Sequence, residues 1–446
     1  MRRVAVFGIF VLASNAMMIA GTSPFVARAG AQVSAPLASV VALTSDSGSS
    51  TSCAVITTGR VNCWGSNANG ELGNGTTTGS DVPVVVTGIA DAKAIADDND
   101  GRTFCALLSN GTVECWGYNG YGELGNGTTT TYTVPVAVKK ITTAKAIIGG
   151  DYDFCALLTT SQIDCWGYNN YGELGNGTTT SSDVPVAVHG ISNASKMIAG
   201  YYNFCALLTT KHLSCWGYNG DGQLGDGNTT SSDVPVTVTG ITGAKAVTSD
   251  TGGDTTCALL STNRVDCWGA NSSGELGNGT TTSSDVPVAV HKITNAKAIA
   301  DDNDGRSFCA VLSTASVDCW GYNGYGELGN ATTTTYTVPV PVKKITTAKT
   351  IVGGQDSFCS ELSTGQLNCW GYNGYGQLGN ATTTNSDVPV AVHGISDASK
   401  LVVGYYNTCS LLTTKGVDCW GYNGSGQLGD GNTTSSDVPV AVVAAS

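Results

Sequence analysis

Histidine is nearly missing from this sequence. The four present, His189, His212, His291 and His393, read as polar filler in surface loops and leave too few nitrogen ligands for a zinc centre. Charge is scarce as well: charged residues make up 12% of the 446, with 21 Lys and Arg against 34 acids. The net charge of −13 becomes −16 once the first 31 residues, which hold three arginines and no acid, are set aside. Nucleic-acid binders use basic patches to displace counterions, so this balance disfavours DNA, RNA and anionic membranes as partners. Beyond the N-terminal segment only Met197 remains of the methionines, and no apolar run of membrane-spanning length follows. There is also no nucleophile elbow, metalloprotease helix signature, phosphate loop or dinucleotide fingerprint. The chain is expected to bind rather than to catalyse.

The N-terminus reads as an export signal. Arg2 and Arg3 precede an apolar run from Val4 to Ala20, and Ala29-Gly30-Ala31 supplies small residues for cleavage. Residues 1–31 are therefore assigned to a signal peptide and 32–446 to the mature domain, with an uncleaved anchor as the alternative. The expected location is secreted or extracellular, or periplasmic or cell-surface associated, as a monomer without a membrane span after cleavage.

What the chain has in quantity is glycine (59), cysteine (16) and repetition. All eight tryptophans fall in the tripeptide Cys-Trp-Gly, from Trp64 to Trp420, at steps of 50 or 52 residues. A second period of 204 residues relates Trp64 to Trp268 and Trp216 to Trp420, so the chain is two copies of a four-repeat block. The cysteines form eight pairs of identical spacing: Cys53 with Cys63, Cys105 with Cys115, Cys155 with Cys165, Cys205 with Cys215, Cys257 with Cys267, Cys309 with Cys319, Cys359 with Cys369, and Cys409 with Cys419. In one repeat, Cys105-Ala-Leu-Leu and Val113-Glu-Cys-Trp116 flank the turn Ser109-Asn110-Gly111, a β-hairpin signal. Its centre sets the two cysteines opposite each other at disulfide distance, so each bridge is predicted within its own repeat. A Gly-rich loop with one apolar residue (Leu124 here) follows, expected to plug the seam to a neighbouring blade. Then comes a Val-Pro segment suited to an edge strand, and an Ala-Lys-Ala-Ile strand.

The pattern C-A-L-L-x-x-x-G-x-V-x-C-W-G-x-N-x-x-G-[EQ]-L-G-[ND], followed by V-P-V, resembles the RCC1 (regulator of chromosome condensation) repeat. It is similar to the two-Cys variety of exported bacterial proteins, over about Val41 to Val442. The resemblance implies an all-β fold, a closed β-propeller of four-stranded blades. Family members commonly have seven blades; the eight repeats and the duplicated block of four point to eight. Repeat eight ends without a following Ala-Lys-Ala-Ile strand and Ala38–Ala42 has that character. The N-terminal strand is therefore expected to complete the last blade and leave no open edge.

Two residue sets are candidates for a site. Tyr118, Tyr121, Tyr168, Tyr171, Tyr322, Tyr325, Tyr372 and Tyr375 lie in the loops after Cys-Trp-Gly, and Tyr201, Tyr202, Tyr405 and Tyr406 lie ahead of the cysteine hairpins. They either pack between blades or form a contact surface for protein or sugar. Asp97, Asp98 and Asp100, repeated as Asp301, Asp302 and Asp304, form either solvated acidic loops or a set of calcium ligands, although the spacing is not that of an EF-hand. The resemblance implies action through protein contacts, as adaptor or inhibitor, with an extracellular or cell-envelope protein as partner. A calcium-dependent, lectin-like glycan binder is the alternative; no other cofactor is expected.

Overall fold

The computed structural model describes residues 35–45, 50–249, 252 and 254–444, and the expected signal peptide at 1–31 lies outside the described residues. Every repeat folds into one four-stranded antiparallel sheet whose strands lie side by side in chain order. In the second blade these are Ala92–Asp97, Thr103–Leu108, Val113–Gly117 and Tyr132–Ala137. Eight such sheets make an eight-bladed β-propeller, and no helix occurs among the described residues. The first strands of successive blades pack beside one another around the whole ring and line its axis. The Val-Pro strand lies at the opposite edge of each sheet, where a proline without an N–H does no harm.

The cysteine hairpins sit at the middle of the blades, and every expected pair is in direct register. Cys53 faces Cys63, Cys105 faces Cys115, Cys155 faces Cys165 and Cys205 faces Cys215 in the first four blades. Cys257 faces Cys267, Cys309 faces Cys319, Cys359 faces Cys369 and Cys409 faces Cys419 in the last four. All eight bridges form, each within its own blade as the spacing predicts, with Cα separations of 4.0–4.1 Å. The apolar residues collect at the seams rather than within single blades. Cys105, Leu107, Val113, Cys115 and Leu124 of the second blade pack with Phe154, Ala156 and Trp166 of the third. Leu124 is fully buried there, as the sequence suggested.

The same bond recurs at every seam. The indole N–H of Trp116 donates to the Glu71 carbonyl of the preceding blade at 2.7 Å, and Trp166 and Trp216 do so to Glu123 and Glu173. Trp64, in the first blade, donates to Gln427 in the last at 2.9 Å, and that bond closes the ring. Beside it, Gly431 N–H donates to the Asp81 carbonyl just as Gly127 donates to Asp183.

Closure therefore does not follow the expected route. Val40–Ser45 pairs with Thr51–Ile56 and begins the first blade instead of completing the last. The reason lies in the phase of the unit: each Ala-Lys-Ala-Ile strand opens the blade that follows it, so the eighth repeat lacks nothing. The strand and the residues just upstream still touch the last blade: Val40 N–H donates to Lys415 O, Leu37 N–H donates to Val442 O and Pro36 bridges Val443.

Replacing Cys105 and Cys115 together by alanine is expected to lower stability by about 2–3 kcal/mol, the entropy of a short closed loop. Denaturant unfolding of that variant measures it, and an unchanged midpoint would show that the bridge adds nothing.

Candidate functional site

Because the blades are sequential meanders, the ring has two unlike sides. On the upper side the first strand hands over to the second, and a long loop joins the third to the fourth. On the lower side are the hairpin turns and the connections between blades.

One buried asparagine organises each long upper loop. Asn119 Oδ1 accepts the Leu124 N–H at 2.9 Å, while its Nδ2 donates to the carbonyls of Thr128 and Thr130. Asn169, Asn323 and Asn423 repeat the arrangement. The glutamate or glutamine before the leucine adds a second clamp: Glu123 Oε2 accepts the Tyr121 N–H and Gln377 Oε1 accepts that of Tyr375. Neither role was read from the sequence, although both residues recur in every repeat.

Held in this way, the tyrosines form two arcs. Tyr118 and Tyr121 of one loop meet edge-on at 6.5 Å, Tyr121 reaches Tyr168 of the next blade at 5.1 Å, and Tyr171 reaches Tyr218 at 5.0 Å. In the other half Tyr322 meets Tyr325, Tyr325 reaches Tyr372 and Tyr375 reaches Tyr422, the last two at 5.1 Å. Tyr202 and Tyr406 lie inside the arcs against Tyr171 and Tyr375, and each carries its neighbour, Tyr201 or Tyr405, at 4.2–4.3 Å. Packing across seams and surface display thus coincide: Tyr121, Tyr171, Tyr201, Tyr325, Tyr375 and Tyr405 remain 37–43% exposed. Tyr152, which the sequence reading passed over, fills the first arc between Tyr118 and Tyr121. The arcs stop at the first and fifth blades, whose loops carry Ser66 and Ala270 in place of the first tyrosine.

Two hollows open on this side. One, of about 240 Å³, is lined by Tyr375, Tyr405, Tyr406 and Tyr422 with Ser50, Asn407 and Gln427. The other, of about 390 Å³, brings together Asn99 with Asn303 and Tyr201 with Tyr405, which are equivalents in the two blocks and meet at the mouth of the central channel.

The aspartates do not assemble as calcium ligands. Asp97 accepts a short hydrogen bond from Thr44 of the neighbouring blade, and Asp301 accepts one from Thr248. Asp98 is fully buried, and its Oδ1 accepts the N–H groups of Arg102 and Thr103 at 2.9 and 3.1 Å. Asp302 does the same for Arg306 and Ser307. Asp100 and Asp304 pair with Arg102 and Arg306. Each carboxylate is turned to a different local task, and no group of three candidate ligands converges among the described residues. Nor are these loops simply solvated, since Asp98 and Asp302 are among the most buried polar groups of the ring.

Burial governs the acids below the tyrosines. It pushes Glu123, Glu173 and Glu327 up to about 7, and Asp151 up to about 6. It raises Asp153 well above the carboxylate range, helped by the nearby Glu173 and Asp151 charges. Here the two blocks differ. Asp151, Asp153 and Glu173 of the first correspond to Gln355, Ser357 and Gln377 of the second, so the dense acid cluster underlies one arc only.

Charge is sorted between the sides, which the whole-chain balance conceals. All fourteen lysines, with Arg60 and Arg264, lie on hairpin turns, inter-blade connections or the lower ends of first strands, and every one is exposed. The upper side holds twenty-four of the described acids and only two cations, Arg102 and Arg306. The absence of a basic patch inferred from composition is therefore corrected.

Fold and loops together define a repeat propeller whose upper side carries the aromatic surface. Two models described as regulator of chromosome condensation (RCC1) repeat match the chain, one over residues 58–97, 110–157, 165–207, 213–259 and 364–411, the other over 41–71, 199–223, 247–275 and 398–427. The chain belongs to the RCC1-repeat family. It is 32% identical to the human E3 ubiquitin-protein ligase HERC2 over 97 residues, which are 21% of this chain and 2% of that one. It is 34% identical to the zebrafish (Danio rerio) protein RCC2 homolog over 76 residues, 17% of this chain and 15% of the relative. The chain thus spans a small part of these relatives. Among solved structures, human WBSCR16 has a TM-score of 0.62 at 18% identity, covering 79% of this chain and 100% of that one. Prp20p of Saccharomyces cerevisiae has a TM-score of 0.58 at 17% identity, covering 77% and 89%.

Because these carboxyls hold protons more tightly folded than unfolded, their contribution is favourable below the ordinary range near 4 and is lost as pH rises through about 6 to 7. The melting temperature is expected to be higher at pH 5 than at pH 8. A Glu123→Gln, Glu173→Gln variant should gain stability on the order of 1 kcal/mol at pH 8 and flatten that slope. A profile with its maximum above pH 7 would contradict the assignment.

Proposed function

We propose that the chain is an exported protein-interaction module that takes its partner on the upper, tyrosine-bearing side. The observation that carries this reading is the pair of exposed tyrosine arcs held on loops clamped by buried asparagines. Aromatic side chains with two rotatable bonds give large contact area at low entropy cost, and the seam contacts preorganise them further. Tyr375, Tyr405, Tyr406 and Tyr422 surround a hollow of the kind that accepts a partner's anchoring side chain. Eight intrachain disulfides support an oxidising destination outside the cytosol, and the N-terminal basic and apolar pattern supports export. The partner is an extracellular or cell-envelope protein, and the role is that of adaptor or inhibitor. Membership of a family of repeat propellers agrees with binding rather than catalysis.

Immobilised chain exposed to envelope and supernatant proteins, and to a glycan panel, with and without chelator, tests this reading. A protein retained regardless of chelator, whose purified form binds at least about tenfold more weakly to a Tyr121→Ser, Tyr171→Ser, Tyr325→Ser, Tyr375→Ser variant, is the expected result. Retention of that protein undiminished by the substitutions would place the contact elsewhere, and glycan retention in its stead would make the chain a lectin.

A further inference from the structure

The lower side is independent of the tyrosine site and carries a feature of its own. Seven of the eight first strands have a lysine at their second or third residue: Lys93, Lys145, Lys245, Lys297 and Lys349 at the second, Lys196 and Lys400 at the third. Since these strands line the axis, the lysines ring the lower mouth of the channel. Only Val40–Ser45 of the first blade lacks one. Around this ring, Arg60, Lys211, Arg264 and Lys415 sit on hairpin turns, so the cations continue outward.

Few of these charges form ion pairs. Among the described residues only Lys349, with Glu361, and Arg264, with Asp266, have an ion-pair partner on this side. Lys145 and Lys245 point to neutral groups, the Ser161 hydroxyl and the Asn263 amide oxygen. The acids nearest the ring, Asp91 and Asp397, accept hydrogen bonds from the hydroxyls of Ser109 and Thr413. Five others, Glu114, Asp164, Asp266, Asp318 and Asp418, are half-buried at the second residue of third strands.

We propose that this side docks on an anionic lipid bilayer. A ring of cations spread over seven blades matches a surface that is negative everywhere, not a linear polyanion that needs a track. Among the described residues the lower side offers no exposed tyrosine, phenylalanine or tryptophan on which sugar rings could stack; its exposed large apolar residues are Val41 and Val85. The attraction is therefore electrostatic, of the kind basic segments show toward anionic leaflets. The first described residues enter the propeller on this side, with Thr57 N–H donating to Ser39 O and Leu37 N–H to Val442 O. Docked in this way, the ring would face its tyrosines away from the lipid.

Sedimentation of the full chain with vesicles tests the proposal. Vesicles containing phosphatidylglycerol should bind it at low salt and release it at about 0.5 M salt, where the Debye length falls to a few ångströms, and phosphatidylcholine vesicles should not bind it. A Lys93→Gln, Lys145→Gln, Lys245→Gln, Lys297→Gln variant should bind the anionic vesicles at least about tenfold more weakly, while the tyrosine variant binds as the parent does. Equal partition into neutral vesicles would attribute binding to the apolar N-terminal segment and overturn the proposal. So would a lysine variant that binds unchanged, or heparin binding that anionic vesicles fail to compete.

Discussion

The ring depends on one contact, the tryptophan indole of each blade set into the loop of the blade before it. That indole is fully buried, donates to a backbone carbonyl across the seam, and stacks on a phenylalanine of its own blade where one is present, as Phe154 does on Trp166. The loop must come very close to receive it. A side chain at Gly125, whose φ is +58°, would meet the Trp166 ring at 3.0 Å, which is why the loop turns on glycine at that point. Because the last seam uses Trp64 and Gln427 in the same way as the other seven, the ring needs no exchanged strand to close. The disulfides hold each central hairpin together, and the indoles hold the blades to one another.

The two sides differ because of strand polarity. A residue type placed once in the repeat reappears at the same height of every blade, so modest local preferences sum around the ring. Lysine near the start of the first strand becomes a basic ring, and glutamate in the upper loop becomes a buried acidic one. The clamps show how little the latter charge is needed: Gln377 accepts the same backbone N–H as Glu123. A carboxyl that burial pushes up to about 7 accepts there as an amide oxygen does. Tyrosines follow the same logic, and their absence from the first and fifth blades, four apart, divides the surface into two related arcs.

Much of this was legible in the residues. The spacing of Cys105 and Cys115 about Asn110-Gly111 gave the hairpin and its bridge, the eight Cys-Trp-Gly steps gave the blade number, and Val-Pro gave the edge strand. The errors have physical causes. Repeats can be cut at any phase, so Ala38–Ala42 looked like a spare strand for the last blade when it opens the first. Adjacent aspartates look like a ligand set, but at a strand end successive side chains point apart, and Asp97, Asp98 and Asp100 found separate partners. Net charge has no direction, so a chain at −13 concealed a basic side. The buried role of Asn119 left no trace beyond its recurrence, because its partners lie nine and eleven residues on in an irregular loop.

The equivalence of all eight seams is the claim on which the rest stands, and exchange of the indole N–H groups in ¹⁵N-tryptophan-labelled protein tests it most directly. Eight resonances with closely similar, strong protection are expected, with that of Trp64, assigned through Trp64→Phe, no weaker than the others. An unprotected Trp64 indole among seven protected ones would mean that the ring is open between its first and last blades.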